Sequence, residues 1–501
     1  MSEETANSDF SRSVILQYAS SGSLTIAGSL FYIYAMRIFQ PAQVGSLTLL
    51  VAIMVIFPTI FSLGVQYGMQ HYISYELGRK RPQGAAAIIS KFLRIGIGLF
   101  FAATIAVVAL APYISQIFFH SAGYTRIIEL LSPDVGIMVL FNILGGMLLG
   151  LQKFQTYGKI TIISYILAYG SAAVLIFFFP SIIYVPVGWM IGYFIGAGAM
   201  IYNILIFKGN EQPINVGTGE IFRYSAPLFF SSIISISASY VDRFVVAFFL
   251  NLGSLGIYNL ALLVVSSVGI FIVPINNITL SKFSQFYAQR GKDSVKGGVS
   301  LTNDVISMLY VPATLGIMAL STPIIDLIAG SNYLTSALPI DIILTVSAVL
   351  VSVNVLNQGL FSVRVTKIFI YSSTLSLFSN IALSYILIPK FSIIGASIGY
   401  SSIMVVSFLI ILYASLKSHI FGLNFKTVFK IWGSAIVMAV VVHYFAFMTG
   451  DRILFLPLYI IAGVAIYLSL IKLTHALNGE HREVFSRFFP SVYNRFRFMF
   501  N

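Results

Sequence analysis

Long apolar runs, separated by short polar or Gly/Pro-containing segments, extend along almost the whole chain. A helix that crosses a bilayer needs about 20 mostly apolar residues. The pattern predicts fourteen such helices, at residues 13–37, 43–68, 88–112, 130–151, 159–179, 183–207, 221–249, 254–278, 300–320, 337–361, 366–388, 392–415, 427–448 and 453–473. The intervals between these runs are too short for a folded extramembrane domain. The acidic start MSEETANSD lacks the basic region of a signal peptide, so we expect the first run to remain as a helix.

The composition agrees with this pattern. Hydrophobic residues make up 58% of the chain and charged residues 9%, whereas soluble domains carry about 25% charged residues. A water-exposed surface cannot be built from so few charges, so we predict an all-α polytopic membrane protein. The absence of cysteine excludes disulfides, thiolate metal sites and cysteine nucleophiles.

The positive charges predict the orientation in the membrane. The net charge of +13 is interpreted as the excess of Lys and Arg that cytoplasmic loops carry, so no nucleic-acid partner is expected. With the N-terminus inside, 24 of the 29 Lys and Arg residues fall on the cytoplasmic side. The exceptions are Arg37, Arg126, Arg243, Lys390 and Arg452. This asymmetry predicts an even number of spans with both termini in the cytoplasm, although a count of twelve or thirteen stays open.

The two halves of the chain resemble each other. The segment Gly188–Tyr193 recurs as Gly395–Tyr400, an offset of 207, and Gln43–Leu47 resembles Ser254–Tyr258. Because six predicted spans separate the copies, both halves enter the membrane in the same direction, which is a parallel repeat. We interpret the Gly-x-x-x-Gly pairs within these segments as sites of close helix contact.

The repeat predicts two six-helix lobes around a central cavity, followed by two further helices. The predicted organisation is a cytoplasmic N-terminus at 1–12, an N-terminal lobe at 13–208, a cytoplasmic linker at 209–220, a C-terminal lobe at 221–416, two additional transmembrane helices at 417–473 and a basic, aromatic cytoplasmic tail at 474–501.

Several motifs in order along the chain resemble one known family. The segment Ala35–Gly45 is similar to the pattern A-x-R-x-x-x-P-x-x-x-G in the first loop of polysaccharide-export flippases. Further similar segments are Gly64–Ser74, Ser225–Leu228, Val241–Arg243, Leu255–Ala261 and Gly330–Tyr333. Together they resemble the Wzx-like lipid-linked oligosaccharide flippases of the multidrug/oligosaccharidyl-lipid/polysaccharide superfamily. His71 departs from the Arg or Lys of many relatives, which puts a cationic role at that position in doubt.

This resemblance implies a function. The cargo would be an oligosaccharide on polyprenyl phosphate or pyrophosphate, flipped by alternating access from the cytoplasmic to the outer leaflet of a prokaryotic plasma membrane. The implied partners are membrane lipids and the glycosyltransferases or polymerase of the same pathway. No cofactor is implied. The alternatives are an H⁺- or Na⁺-coupled drug or cation antiporter of the same superfamily, or a membrane-embedded glycan polymerase.

Polar residues inside predicted spans are the candidate substrate contacts, because intramembrane charges are costly and usually functional. The candidates are Arg37, Asn142, Asp242, Arg243, Asn357 and Gln358, with Arg94 and Arg364 at the inner face. For Arg37 and Arg243 the alternatives are snorkelling or an ion pair that stabilises a lobe. For Asn142, Asn357 and Gln358 the alternative to lining a hydrated cavity is hydrogen bonding between helices. For Arg94 and Arg364 the alternative is a role in fixing topology. Adjacent helical positions lie about 100° apart, so we expect Asp242 and Arg243 not to face each other.

Asp134 and Asp341 occupy matching positions of the two halves, with an offset of 207. We consider coupling to Na⁺ or H⁺, pairing with an arginine, or a charge at a helix N-terminus. The chain has no Walker A sequence, no HExxH and no Asp-x-Asp pair. We therefore expect no enzymatic activity and no metal site.

Overall fold

The computed structural model describes residues 22–23, 25–207, 217–269, 272–450 and 452–476. The predicted N-terminal segment 1–12, most of the linker 209–220 and nearly all of the tail 474–501 lie outside these ranges. Every regular element within the described ranges is helical.

The described chain forms eighteen α-helices joined by short turns. They are α1 (25–38), α2 (Pro41–Phe61), α3 (Val65–Gly78), α4 (Pro82–Phe118), α5 (Thr125–Gly150), α6 (Phe154–Phe178), α7 (Tyr184–Leu205), α8 (Thr218–Phe249), α9 (Leu252–Val268), α10 (Val273–Arg290), α11 (Lys292–Ala319), α12 (Ser321–Ile328), α13 (Ala337–Val349), α14 (Ser352–Ser362), α15 (Lys367–Phe391), α16 (Ile393–Lys417), α17 (Phe425–Met448) and α18 (Leu456–Leu473).

Within these ranges, twelve helices are long and apolar enough to cross a membrane. The protein is therefore a multi-pass membrane protein, and the predicted all-α class is confirmed. Exposed Leu, Ile, Val and Phe side chains are numerous on these helices, as expected where the surrounding solvent is hydrocarbon.

Three predicted spans differ from the structure, because each consists of two helices. The span 43–68 is interrupted between α2 and α3, where Leu63 and Gly64 have φ angles of 50° and 68°. The left-handed conformation of these residues ends the helical hydrogen-bond ladder. The spans 254–278 and 337–361 are interrupted after Val268 and Val349. Apolar residues continue through all three interruptions, so hydropathy did not reveal them.

The chain divides into two compact units, Met1–Gly256 and Ile257–Asn501. In the first unit, α5 packs against α2, α3, α4 and α7, and α6 packs against α7. The helix α8, which we predicted to open the second lobe, packs against α2 and α3. In the second unit, α15 packs against α16, and α11 packs against α13 and α17. The lobe boundaries stay a prediction.

Glycines bring α6 and α7 of the first unit into close contact. A Cβ atom at Gly188 would collide with the backbone of Ala172, and one at Gly192 would collide with the backbone of Ala168. The short distance between the two backbones therefore requires that these positions have no side chain.

The second unit repeats this arrangement between α15 and α16. A Cβ atom at Gly395 would collide with the carbonyl of Leu387, and one at Gly399 would collide with Ser384 Oγ. The interpretation of the Gly-x-x-x-Gly pairs as close helix contacts is confirmed. The corresponding glycines of the two units are 207 residues apart, and in each unit they allow close contact with the preceding helix.

Candidate functional site

Asp242 and Arg243 form an ion pair within α8. Arg243 Nη1 lies 3.3 Å from Asp242 Oδ1, and the exposed fractions of the two side chains are 15% for Arg243 and 0% for Asp242. This corrects our expectation that the two side chains do not face each other. The directions of the Cβ atoms differ by about 100°, but the long Arg side chain folds back across that angle.

Two other residues of α8 hold the guanidinium group. Arg243 Nη1 donates a hydrogen bond to the carbonyl oxygen of Ser239. Its Cζ lies 4.4 Å from the centroid of the Tyr240 ring, within the range of a cation–π interaction. Ser239 and Tyr240 precede Arg243 by four and three residues, the spacing that places helical side chains side by side. This spacing was a signal in the sequence for the arrangement, and our prediction did not include it.

Helix α1 also contributes to the surroundings of Arg243. Tyr32 of α1 lies in the neighbourhood of the Arg243 side chain. Arg37 lies five residues further along the same helix, in its last turn, and is exposed. The two predicted intramembrane cations of the first unit thus lie on α8 and on the helix that carries Tyr32.

Asn142 and Arg94 are the remaining predicted contacts of the first unit. Asn142 is half-buried in α5, and its amide has no hydrogen-bond partner among the described residues. Arg94 is exposed on α4, and its Nε donates to the carbonyl oxygen of Ser90 at 3.3 Å. A half-buried amide without a protein partner suits the wall of a hydrated space. Both residues stay predicted contacts.

Asp134 is fully buried in α5, between helices of the first unit. Neither of its carboxylate oxygens has a hydrogen-bond partner in the described part of the chain. Its pairing with an arginine, one of our alternatives, is therefore wrong for the described residues. Tyr193 of α7 is an electrostatic neighbour. The interpretation as a helix-terminal charge also fails, because α5 begins at Thr125 and Asp134 lies beyond its first turn.

The predicted residues of the second unit lie on α13 and α14. Asp341 is half-buried on α13, and its Oδ1 has no partner within the described ranges. Asn357 and Gln358 are half-buried on α14, and Asn357 Oδ1 likewise lacks a partner there. Arg364 is exposed just beyond α14, with a φ angle of 63°. Each unit thus has buried oxygen atoms that lack a hydrogen-bond partner within the described part of the chain, on α5 in the first unit and on α13 and α14 in the second.

The second unit contains an apolar cavity of about 500 Å³ that the hydropathy pattern did not reveal. Helices α11, α12, α17 and α18 line it. Pro312 and Gly316 leave space on the α11 side, and Gly463 leaves space on the α18 side. Tyr467 Oη donates to the carbonyl oxygen of Met308 at 3.0 Å, which satisfies the hydroxyl beside the cavity. The remaining walls are hydrocarbon, so the cavity suits an alkyl or isoprenoid chain.

The described residues contain no group of three or more His, Asp or Glu side chains close enough to hold a metal ion. The chemistry that the arrangement offers is therefore that of a fixed cation, unpaired buried carboxyl and amide oxygens, and an apolar cavity. These groups can bind an anion, a proton and a hydrocarbon chain.

The chain is similar to a known protein family and to named relatives. A family model described as "Polysaccharide biosynthesis protein" matches residues 36–338, which is more than half of the chain. A probable low-salt glycan biosynthesis flippase, Agl15 of Haloferax volcanii, is 24% identical over 291 residues, or 55% of this chain and 61% of that protein. This chain therefore spans about three fifths of the length of that curated relative.

Solved structures share the fold. The lipid II flippase MurJ in an inward closed conformation is similar with a TM-score of 0.73 and 19% identity, over 92% of this chain and 98% of that one. An inward-facing multidrug resistance transporter of the MATE family is similar with a TM-score of 0.68 and 14% identity, over 79% of this chain and 94% of that one. At these identities the likeness shows the fold alone.

Proposed function

Because this chain belongs to the polysaccharide biosynthesis protein family, we propose that it flips a polyprenyl phosphate- or pyrophosphate-linked oligosaccharide across the membrane. The direction is from the cytoplasmic to the outer leaflet of a prokaryotic plasma membrane, by alternating access, with both termini in the cytoplasm. The similarity to a protein named as a glycan biosynthesis flippase supports this proposal.

The observation that carries the proposal is that the guanidinium group of Arg243 lies partly exposed on a transmembrane helix. A hydrophilic head group and a phosphate must cross hydrocarbon, where each unpaired polar group costs several kcal/mol, roughly 2–7. Arg243 is a cation in a transmembrane helix, held by Asp242, Tyr240 and Ser239 and still 15% exposed. A guanidinium binds phosphate oxygens in a planar, bidentate manner. It therefore provides a prepared contact for the phosphate of such a cargo.

The apolar cavity of the second unit supports a lipid-linked cargo over a free sugar. Its hydrocarbon walls between α11, α17 and α18 accept an isoprenoid chain without desolvating any polar group. In our proposal, a polyprenyl tail occupies this cavity while the polar head is transferred.

Asp134 and Asp341 are the proposed coupling groups. A carboxyl group that is buried without a counter-ion favours its neutral, protonated form, and it can release that proton only when the site becomes hydrated. In our proposal the protein is a transporter without catalytic activity, and enzymes that make or use the glycan act before and after it.

The proposal is tested by reconstituting the full chain in vesicles with a fluorescent polyprenyl diphosphate-linked oligosaccharide. A membrane-impermeant glycosidase is then added outside. We expect vesicles that contain the protein to expose the inner-leaflet pool to the enzyme over time, without ATP. An equal fraction protected in vesicles with and without protein would overturn the proposal.

The second candidate function is a drug or cation antiporter, which the fold shared with a multidrug transporter favours. Such a protein needs an acidic cavity for a cationic substrate, whereas Asp242 is fully buried and the exposed member of its ion pair is the cation Arg243. Efflux of a cationic dye from the same vesicles under a pH gradient, with no movement of the glycolipid, would establish this alternative instead.

A further inference from the structure

Four side chains of the first unit form a column at the surface of α3 and α8. The rings of Tyr224 and His71 are stacked, with centroids 4.4 Å apart and an interplanar angle of 15°. His71 is in turn nearly parallel to Tyr75, with centroids 6.3 Å apart. The Cζ atom of Arg79 lies 4.7 Å from the centroid of Tyr75. We call Tyr224, His71, Tyr75 and Arg79 the ring column.

The ring column follows from the spacing of α3. His71, Tyr75 and Arg79 are four residues apart, so they lie along one face of the helix. From first to last they span about 12 Å at 1.5 Å per residue. Tyr224 of α8 continues the column beyond His71.

The polar atoms of the ring column are available to a ligand. All four side chains are exposed, Tyr75 by 47% and Tyr224 by 41%. None of their polar atoms has a hydrogen-bond partner in the ranges that the structure describes. Because stacking already fixes the rings, binding through them costs less conformational entropy than binding through free side chains.

The ring column continues the face on which α3 packs against α8. Gly64 and Gly68 lie on the same side of the helix as His71, and they lie against Phe229, Ile221 and Ser225 of α8. Next to this contact, the four side chains of the ring column are exposed, so they are accessible to a ligand.

Cations outnumber acids next to the column in sequence, although the exposed Glu220 lies one helical turn before Tyr224 on α8. Lys80 and Arg81 follow Arg79, and the exposed Arg223 precedes Tyr224. The one acid of α3 close to the column in sequence, Glu76, is buried. A surface with hydroxyl and ring nitrogen groups between cations complements a ligand that has both hydroxyls and a phosphate.

We propose that the ring column binds the glycan of a phosphate-linked glycolipid, with the tyrosine hydroxyls and His71 on the sugar hydroxyls and Arg79 on the phosphate. This inference rests on the proposed function and deepens it, because it assigns a site that binds the sugar rather than the lipid tail. With the orientation that we predict from the charges, the column lies at the cytoplasmic side, where the cargo enters.

The test compares two probes with the purified full chain in detergent: polyprenyl diphosphate with one N-acetylglucosamine, and polyprenyl diphosphate without sugar. The double variant Tyr75→Phe/Tyr224→Phe keeps both rings and removes only their hydroxyls. We expect it to weaken binding of the glycosylated probe by about tenfold, the effect of losing one to two hydrogen bonds. Binding of the sugar-free probe should stay unchanged, whereas Arg79→Gln should weaken binding of both probes.

The matched control is Tyr113→Phe, since Tyr113 is an exposed tyrosine of α4 outside the column. It should bind both probes as the unmodified protein does. If the double Phe variant binds the glycosylated probe unchanged, or loses both probes equally, the ring column is an interfacial aromatic belt and the inference is wrong.

A flipping assay in vesicles distinguishes a failure of this inference from a failure of the proposed function. If the unmodified protein binds the glycosylated probe through the column but does not flip it in vesicles, the proposed function fails and the binding site stands. If the unmodified protein flips the glycosylated probe and the double Phe variant binds it with unchanged affinity, the proposed function stands. The ring column is then not the glycan-binding site.

Discussion

At the scale of single residues, Arg243 shows how a charge is retained in a transmembrane helix. A charge near the centre of a membrane costs about 2.5–3.5 kcal/mol on insertion scales. Asp242 supplies the opposite charge, Tyr240 supplies a ring face, and Ser239 supplies a carbonyl oxygen. All three lie within four residues of Arg243, so neighbouring positions of α8 hold the guanidinium group in place.

Arg243→Ala should abolish most glycolipid flipping, because it removes the proposed phosphate contact. It also breaks the ion pair with the buried carboxylate of Asp242, and breaking a buried pair costs about 3–5 kcal/mol. The double variant Asp242→Ala/Arg243→Ala removes that second effect. We expect the double variant to regain thermal stability, measured by unfolding in detergent, without regaining flipping in vesicles.

Arg126→Ala, which removes an exposed arginine of α5, is the matched control and should flip normally. Arg243→Lys should retain part of the activity, because the charge remains while the planar geometry is lost. Restored flipping in the double variant would mean that Arg243 serves only to neutralise Asp242.

Asp134→Leu should stabilise the protein, because it replaces a buried carboxyl group that has no described partner by an apolar side chain of similar size. An unsatisfied buried polar group costs about 1–3 kcal/mol. We expect a higher unfolding temperature together with loss of coupled flipping, measured in vesicles with an imposed pH gradient. Asp341→Leu should stabilise less, because Asp341 is half-buried. A lower unfolding temperature of Asp134→Leu contradicts this reasoning.

The sequence supplied the identities of these residues but not their partners. Asp134, Asp242 and Arg243 were recognisable as polar groups in apolar runs. The pairing of Asp242 with Arg243 was missed because Cβ directions on a helix say little about where a long side chain ends. That no described residue pairs with Asp134 depends on which helices surround α5, and a single sequence does not contain that information.

At the scale of helices, the glycine contacts are the clearest link from sequence to packing. Gly192→Val should separate α6 from α7, since even a Cβ atom at this position collides with Ala168. We expect a loss of about 1–3 kcal/mol, typical of overpacking, seen as a lower unfolding temperature. Gly399→Val should have a similar effect in the second unit.

Gly198→Val is the control for that experiment. Gly198 lies on the same helix α7, is exposed, and a Cβ atom there meets nothing within 4 Å. It should leave the unfolding temperature unchanged. Equal effects of Gly192→Val and Gly198→Val would show that helix propensity rather than close packing sets the stability.

Helix positions were predictable to a greater extent than helix interruptions. The apolar runs located most of the spans, because hydrocarbon solvent imposes a length and a composition on each helix. The interruption between α2 and α3 was missed, because Leu63 adopts a left-handed conformation that leucine rarely takes. Tertiary contacts, such as that of Gly64 with Phe229 of α8, accompany this conformation and are invisible in hydropathy.

At the scale of the whole molecule, composition determined the class and the ordered motifs determined the family. The low charge content left no soluble fold, and the twelve described spans confirm the membrane class. The resemblance drawn from Ala35–Gly45 and the later motifs is confirmed by the match over residues 36–338. The apolar cavity was not predictable, because it arises where α11 meets α17 and α18, and α11 ends at Ala319 whereas α17 begins only at Phe425.

The cavity leads to a prediction about the length of the lipid tail. Gly316→Leu should fill the cavity without a clash, since a Cβ atom there has Met438 Cε at 3.8 Å as its contact. If a polyprenyl tail occupies this space during transfer, the variant should flip a long-chain glycolipid several-fold more slowly in vesicles. It should flip a short-chain analogue with the same sugar and phosphate at the normal rate. Gly433→Leu, on an exposed face of α17 where nothing lies within 4 Å, should flip both normally. Equal slowing of the long and short substrates by Gly316→Leu would indicate that the added side chain impairs the protein's movement and not tail binding.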